Sequence, residues 1–154
     1  MLTEAAIDTL GSLCSIVAMP GDAGPVATPA LTGTIALGHD LRGVVMLRLP
    51  RELGVTCLKT MMLSEQEDED LVRDAVGEVT NVIAGTLIQR LATLGLEVEI
   101  GVPLVSQDEP TVARSERRAE RVHLTATSGE KTHQLTVFCT YDWPAAGDKR
   151  VGGR

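Results

Sequence analysis

A helical repeat of apolar side chains runs through residues 64–94 and limits the folds open to this chain of 154 residues. The repeat consists of Val72, Val76, Val79, Ile83, Leu87 and Leu94, with Leu91 slightly to one side. At about 100° per residue these positions fall within roughly 60° of one line, which indicates a buried helical stripe. We expect a helix of about 25 residues, roughly 38 Å long, that begins at a capping box formed by Ser64 and Glu67 and ends near Gly95.

The opposite side of this helix carries an unusual polar set. Four residues fall within about 40° of the opposite line, namely Asp74, Glu78, Asn81 and Gly85. Glu78 and Asn81 are therefore neighbours on one exposed ridge. Asn is a mediocre helix former, and Gly is worse than Ala by about 1 kcal/mol, so a surface without a task would carry Lys, Glu or Ala. Spacing alone leaves two interpretations open: an ordinary solvated surface, or a binding site with an amide, a carboxylate and room at Gly85 for a partner's backbone.

The order of elements predicts an α+β domain, in which a largely antiparallel β-sheet packs against helices that include the long central one. We expect two further helices over residues 2–17 and 51–62, and strands over residues 31–37, 43–49, 96–105, 121–127 and 133–141. Residues 19–29 predict a loop, with part of an edge strand as the alternative. Pro103 indicates an edge or a strand end. Residues 1–143 are expected to form a single domain, and residues 144–154 a disordered tail.

Charge and composition argue against several classes of partner. The net charge is −7 and the chain has three aromatic residues, so it lacks the basic surface and the stacking platforms that bind nucleic acids. No apolar run reaches the roughly eighteen residues of a membrane span. One local basic cluster is expected to be solvated surface, with contact to a phosphate or an acidic partner as the alternative; it comprises Arg114, Arg117, Arg118 and Arg121.

Motifs for cofactors and for secretion are missing from the sequence. No Walker-type Gly-x4-Gly-Lys, GxGxxG, GxSxG or metal-ligand spacing occurs, so we expect no cofactor of its own. Cys14, Cys57 and Cys139 form no CxxC pair and no Cys/His cluster, and the N-terminus has no signal-peptide pattern. These features predict reduced thiols in a cytoplasmic protein.

The polar ridge and the strand after it resemble the signature of the CheC/CheX/FliY family of chemotaxis phosphatases. That signature is an acidic residue or Ser, three residues, Glu, two residues, Asn, and then a Pro after about twenty-two intervening residues. Asp74, Glu78, Asn81 and Pro103 match these positions, with Pro103 one residue short of that spacing. The chain carries one copy of the motif, so it is closer to CheX than to the two-copy CheC type. The likeness covers roughly residues 30–142.

The resemblance implies a phosphatase, hence a hydrolase, of phosphorylated CheY-like receiver domains in chemotaxis or another two-component pathway. By this likeness, Asn81 orients the water that attacks the aspartyl phosphate, and Glu78 docks the receiver by pairing with its active-site Lys. The Mg²⁺ ion belongs to the receiver, and a homodimer is implied for CheX-like proteins. Two alternatives are a non-catalytic receiver-binding module and a structural component of a flagellar-switch type assembly.

Overall fold

The computed structural model describes residues 1–63, 65–109 and 118–142. In order, the elements in this part of the chain are α1 (Leu2–Cys14), β1 (Val17–Pro20), β2 (Ala30–His39), β3 (Arg42–Pro50), α2 (Arg51–Met62), α3 (Glu69–Ala92), β4 (Val98–Ile100), β5 (Leu104–Ser106), β6 (Arg118–Ser128) and β7 (Lys131–Asp142). The α+β class and the order of elements predicted from the sequence are confirmed, with one extra strand, β1, and with the 96–105 strand divided in two.

The strands form one antiparallel sheet in the order β1-β6-β7-β3-β2-β4, and β5 pairs with the same edge of β2 as β4 does. The predicted hairpin near the C-terminus is confirmed, because Leu124 pairs with Leu135 and Val122 with Val137 across β6 and β7. Gly129 makes the turn with a positive φ of 61°, a conformation that glycine adopts without strain.

All three helices pack against one face of the sheet. Side chains on that face are buried at alternate positions of the four long strands, including Ile35, Leu47, Leu124 and Val137. This period of two is the pattern of strands with one face in the core. The opposite face is more polar: the Arg48 guanidinium donates to Thr32 Oγ1 at 2.8 Å. The cysteines at positions 14, 57 and 139 are free and buried in the core.

The first helix is shorter than the sequence predicted. It ends at Cys14, and Ser15 leaves it in the left-handed conformation with a φ of 54°. The prediction that Val17 belongs to the buried stripe of this helix is wrong, because Val17 begins β1 and is 66% exposed. The apolar repeat continued by chance beyond the helix, where Ile16, just before β1, and Ala18 within it are the buried residues. The edge-strand alternative is confirmed for Met19 and Pro20, which pair with β6.

The start of the central helix is also different from the prediction. Helix α3 begins at Glu69, because the Asp68 carboxylate accepts hydrogen bonds from the amides of Asp70 at 2.9 Å and Leu71 at 3.3 Å. An Asp at this position satisfies amides that have no partner within the helix. The predicted start at a capping box is therefore wrong. Its first residue, Ser64, lies outside the described residues, and the Glu67 carboxylate pairs instead with Lys59 at 2.9 Å.

The end of α3 confirms the predicted glycine stop, since Gly95 has a φ of 80° just after the helix. Leu94, which the sequence placed in the buried stripe, lies beyond the helix and is 59% exposed. The last buried residue at this end of α3 is Leu91. The remaining five residues of the stripe are buried as predicted: Val72, Val76, Val79, Ile83 and Leu87.

The strand predicted over residues 96–105 is interrupted. Gly101 donates its amide to Ala36 at 2.9 Å, but the ladder then breaks before Pro103, which has no amide hydrogen to donate. Val102, which lies within the predicted strand, is in the break instead, and its side chain is 82% exposed. The prediction that Pro103 marks a strand end is confirmed.

Other sequence-based expectations fall partly outside the described residues. Arg114 and Arg117 of the basic cluster and residues 144–154 of the expected tail lie outside them, so the tail and the domain boundary stay predictions. Arg118 and Arg121 are exposed on β6, and the Arg121 guanidinium lies 5.0 Å from the centre of the Phe138 ring. No helix among the described residues is long and apolar enough to cross a membrane.

Candidate functional site

Helix α3 lies very close to the sheet and to α2. The buried Thr80 hydroxyl donates to the Val76 carbonyl at 2.7 Å on the inner side of the helix. Opposite it, β2 carries Gly33, where a Cβ atom would overlap Thr80 Oγ1. A Cβ atom at Gly54 of α2 would come within 3.1 Å of Val76 Cγ2. Two glycines therefore let neighbouring elements approach α3, and this proximity fixes which side of the helix turns outward.

Two further sets of contacts hold the flanks of α3. On one flank, Arg73 Nη1 donates to the Val105 carbonyl of β5 at 3.3 Å, and Pro103 lies over Gly77, whose added Cβ would be 3.7 Å from the proline ring. On the other flank, the Arg90 guanidinium forms ion pairs with two acidic residues of α1, Glu4 and, at 2.8 Å, Asp8. The helix is thus fixed by the sheet from below and by neighbours on both sides.

The outward side of α3 carries the predicted polar ridge, formed by Asp74, Glu78, Asn81 and Gly85. Asp74 and Glu78 are exposed, and Asn81 and Gly85 are half-buried. The predicted placement of Glu78 and Asn81 side by side on the outward side of the helix is confirmed; Glu78 is exposed as predicted, whereas Asn81 is less exposed than predicted. Residues three apart on a helix have Cβ atoms about 5–6 Å apart, so one ligand can contact both side chains.

The polar side-chain atoms of Glu78 and Asn81 are available to a ligand. Among the described residues, neither side chain has a hydrogen bond or an ion pair. The Asn81 amide can therefore both donate to and accept from a ligand, and it stays neutral beside an anion. The Glu78 carboxylate can accept a charge-assisted hydrogen bond from a Lys or Arg of a partner.

The ridge is the outward side of a helix, which limits the kind of ligand it can take. Two shallow surface depressions of about 240 and 260 Å³ are lined by other parts of the chain, and no ridge residue lines either of them. Small ligands are usually enclosed in concave sites, whereas a raised helix can lie in the cleft of another protein. Within the described residues, no group of three or more His, Cys, Asp or Glu side chains could hold a metal ion.

Sequence reasoning missed the residues that position the ridge. It matched Asp74 and Pro103 to the family signature, but it did not predict that Pro103 packs on Gly77, next to Glu78. It also assigned no contact to Thr80. A signal was present, because Gly77 and Thr80 are small residues just beside the apolar stripe, and small residues permit close packing.

The comparison with family models gives one match, described as "Chemotaxis phosphatase CheX", over residues 31–127. In chain order, this stretch runs from β2 to β6, and it includes the whole of α3 with its ridge. The search of curated proteins found no match.

Solved structures of CheX and FliY proteins have the same fold. The chemotaxis protein CheX from Vibrio vulnificus is 19% identical, with a TM-score of 0.71 over 92% of this chain and 93% of that one. A CheX from Borrelia burgdorferi, solved as a CheX-CheY-BeF3-Mg²⁺ complex, is 16% identical, with a TM-score of 0.69 over 91% and 94%. FliY from Thermotoga maritima is 18% identical, with a TM-score of 0.64 over 90% and 83%.

Proposed function

Because the chain belongs to the chemotaxis phosphatase CheX family, we propose that it hydrolyses the aspartyl phosphate of a CheY-like receiver domain. The observation that carries this proposal is the Glu78–Asn81 pair, which stands on the outward side of a helix fixed on its other sides and has no hydrogen bond or ion pair among the described residues. The solved complex of a related CheX with CheY, BeF3 and Mg²⁺ supports a receiver as the partner.

Asn81 acts on the attacking water in this proposal. Its side-chain oxygen accepts a hydrogen bond from the water and its amide nitrogen donates to the phosphoryl group, which holds the water in line with the bond to be broken. The water oxygen bonds to phosphorus, and the bond from phosphorus to the receiver's aspartate breaks with its electron pair on the aspartate. The products are a free carboxylate and inorganic phosphate, which takes up the proton of the water.

Glu78 fixes the orientation of the receiver in this proposal. Its carboxylate lies one turn before Asn81 and pairs with a Lys beside the receiver's phosphorylated aspartate. The Mg²⁺ ion comes with the receiver and supplies charge neutralisation there. The chain then has to add only the alignment of one water, and alignment is the main requirement of phosphoryl transfer.

The test is the lifetime of the phosphate on purified CheY-like receivers of the same cell, with and without this protein. We expect the wild-type protein to accelerate the loss of phosphate from the receiver. The Asn81→Ala substitution should reduce this acceleration by about 10²-fold or more. Gln107→Ala, an exposed amide after β5 and outside α3, serves as the matched control and should behave as wild type.

A second pair of variants tests the role of Glu78. Glu78→Lys should weaken binding of the receiver, whereas Glu130→Lys makes the same change in net charge at an exposed turn and should leave binding unchanged. Both variants should keep the wild-type melting temperature. Binding of the receiver without faster loss of phosphate would refute the enzymatic role and leave a binding module. Recovery in a large flagellar assembly, again without hydrolysis, would favour a structural component.

A further inference from the structure

Glycines inside the helices of this protein have different surroundings. A Cβ atom added at Gly54 would meet Val76 Cγ2 at 3.1 Å, and one added at Gly77 would meet Val105 and Pro103 at 3.6 and 3.7 Å. A neighbouring element therefore packs against the bare backbone at each of these two positions. Gly85 has no such neighbour, because an added Cβ atom there would have no atom within 4 Å.

No structural reason for a glycine at position 85 is present in the described residues. The residue lies in the middle of α3, with no positive φ that would require glycine. Glycine is the poorest residue in a helix interior apart from proline, so its presence weakens the helix at this point. The absence of a side chain here leaves room for something that approaches α3 from outside.

The position of Gly85 relative to Asn81 indicates what approaches. Gly85 follows Asn81 by four residues, so the two lie on the same side of α3, about 6 Å apart along the helix axis. Val82 and Ile88 are half-buried and stand on either side of Gly85, and the exposed Gln89 lies one turn beyond. We call this depression in the ridge, with Gly85 as its floor, the Gly85 notch.

We propose that the Gly85 notch receives a backbone segment of the receiver, from a loop beside the phosphorylated aspartate. This inference rests on the proposed function. When the Asn81 amide lies within hydrogen-bond distance of a water at the phosphorus, the helix surface about 6 Å further along must also face the receiver. Any side chain at position 85 would then lie between α3 and the receiver.

The expected effect grows with the size of the side chain. A Cβ atom extends about 1.5 Å from the backbone, so it would hold α3 away from the receiver and draw Asn81 back from the water. A misplacement of about 1 Å in such a site can lower the rate by about 10²-fold. We expect Gly85→Ala to raise the KM for the phosphorylated receiver by about tenfold, and Gly85→Leu to lower kcat/KM by about 10²-fold or more.

The experiment compares Gly85→Ala and Gly85→Leu with Gly11→Ala. Gly11 is an exposed glycine of α1 whose added Cβ would reach only the Ile16 carbonyl, at 4.0 Å, so it is a matched helix position away from the ridge. Both alanine variants should melt about 2–4 °C higher than wild type, because alanine is the better helix former. The Gly85 variants should nevertheless have a lower kcat/KM for the phosphorylated receiver, whereas Gly11→Ala should keep the wild-type value. A residue with a merely structural role would not separate stability from activity in this way.

The assay uses the CheY-like receiver that, carrying Mg²⁺ and BeF3, binds the wild-type protein most tightly. The same receiver, phosphorylated with acetyl phosphate, serves for the activity measurement. An active wild-type protein together with an equally active Gly85→Leu variant overturns the notch and leaves the proposed function intact. An inactive wild-type protein overturns the proposed function. The notch then stands only if the wild-type protein binds the receiver and the Gly85→Leu variant binds the receiver at least about tenfold more weakly. Equal binding, or no binding by wild type, overturns both.

Discussion

Replacement of Gly33 by Ala tests how closely α3 lies on the sheet. An added Cβ atom in β2 would overlap Thr80 Oγ1, and it would lie 3.1 Å from Thr80 Cβ and 3.4 Å from the Val76 carbonyl oxygen. Thr80 is fully buried and its hydroxyl already donates to that carbonyl, so the side chain has no free space into which it can turn. Either α3 must move away from the sheet, or Thr80 must leave its rotamer and lose this hydrogen bond.

The magnitude follows from these two routes. Overpacking of a well-packed core costs about 1–3 kcal/mol, and a lost internal hydrogen bond costs about 1 kcal/mol. We therefore expect Gly33→Ala to lower the free energy of unfolding by about 2–3 kcal/mol and the melting temperature by roughly 5–10 °C. In a Thr80→Ala background, the obstructing oxygen is absent, so the same change should cost less than about 1 kcal/mol. The coupling between the two positions is then about 1–2 kcal/mol.

Urea unfolding of the two single variants and the double variant measures this coupling. Gly38→Ala is the matched control, because an added Cβ at that position of the same strand meets no atom within 4 Å. If Gly33→Ala and Gly38→Ala unfold at the same urea concentration, or if Thr80→Ala does not relieve the cost of Gly33→Ala, the close contact between β2 and α3 is not as described. The reasoning that places Asn81 outward, next to the inward Thr80, would then fail as well.

Two further predictions concern protonation. A hydrogen bond from Lys131 lowers the pKa of the Glu52 carboxyl in the folded protein, so this pair stabilises the fold above the ordinary carboxyl pKa and ceases to do so as pH falls through the lowered value. In urea unfolding, Glu52→Gln should therefore be slightly less stable than wild type at pH 7, and the difference should shrink as the pH falls below the ordinary carboxyl range. A difference that does not change with pH would contradict this assignment. Burial raises the pKa of the Cys139 thiol to about 12. Iodoacetamide at pH 8 should therefore leave Cys139 unmodified in the native protein and alkylate it in denaturant. Rapid labelling of the native protein, detected by peptide mass, would instead show that the thiol is accessible.

The periodic parts of the fold could be predicted from the sequence. The apolar repeat of α3 and the alternation in β2, β3, β6 and β7 are long, so one misplaced residue does not hide the period. The ridge followed from the same repeat, because the direction of the buried stripe fixes the direction of Glu78 and Asn81. The family resemblance depended on Glu78 and Asn81 together with Asp74, Pro103 and the order of elements, and the family match now supports it.

The element ends could not be predicted in the same way. Val17 and Leu94 each fit the apolar repeat of a helix that had already ended, since periodicity alone does not show where the backbone turns. The true cap of α3, Asp68, lies within a run of acidic residues in which several positions could accept the same hydrogen bonds. The contact between Pro103 and Gly77 joins residues far apart in the chain, and no local pattern encodes it.

The contacts that fix α3 on three sides also determine how a partner meets it. The ridge is carried by a regular helix between the sheet, β5 and α1, and none of these contacts has to open before Glu78 and Asn81 can reach a ligand. A receiver would therefore encounter a surface that is already complete, so little conformational entropy would be lost by this protein on association. Turnover would then be governed by how often two rigid bodies collide in the correct orientation and how soon they part, with no loop closure as a step of its own.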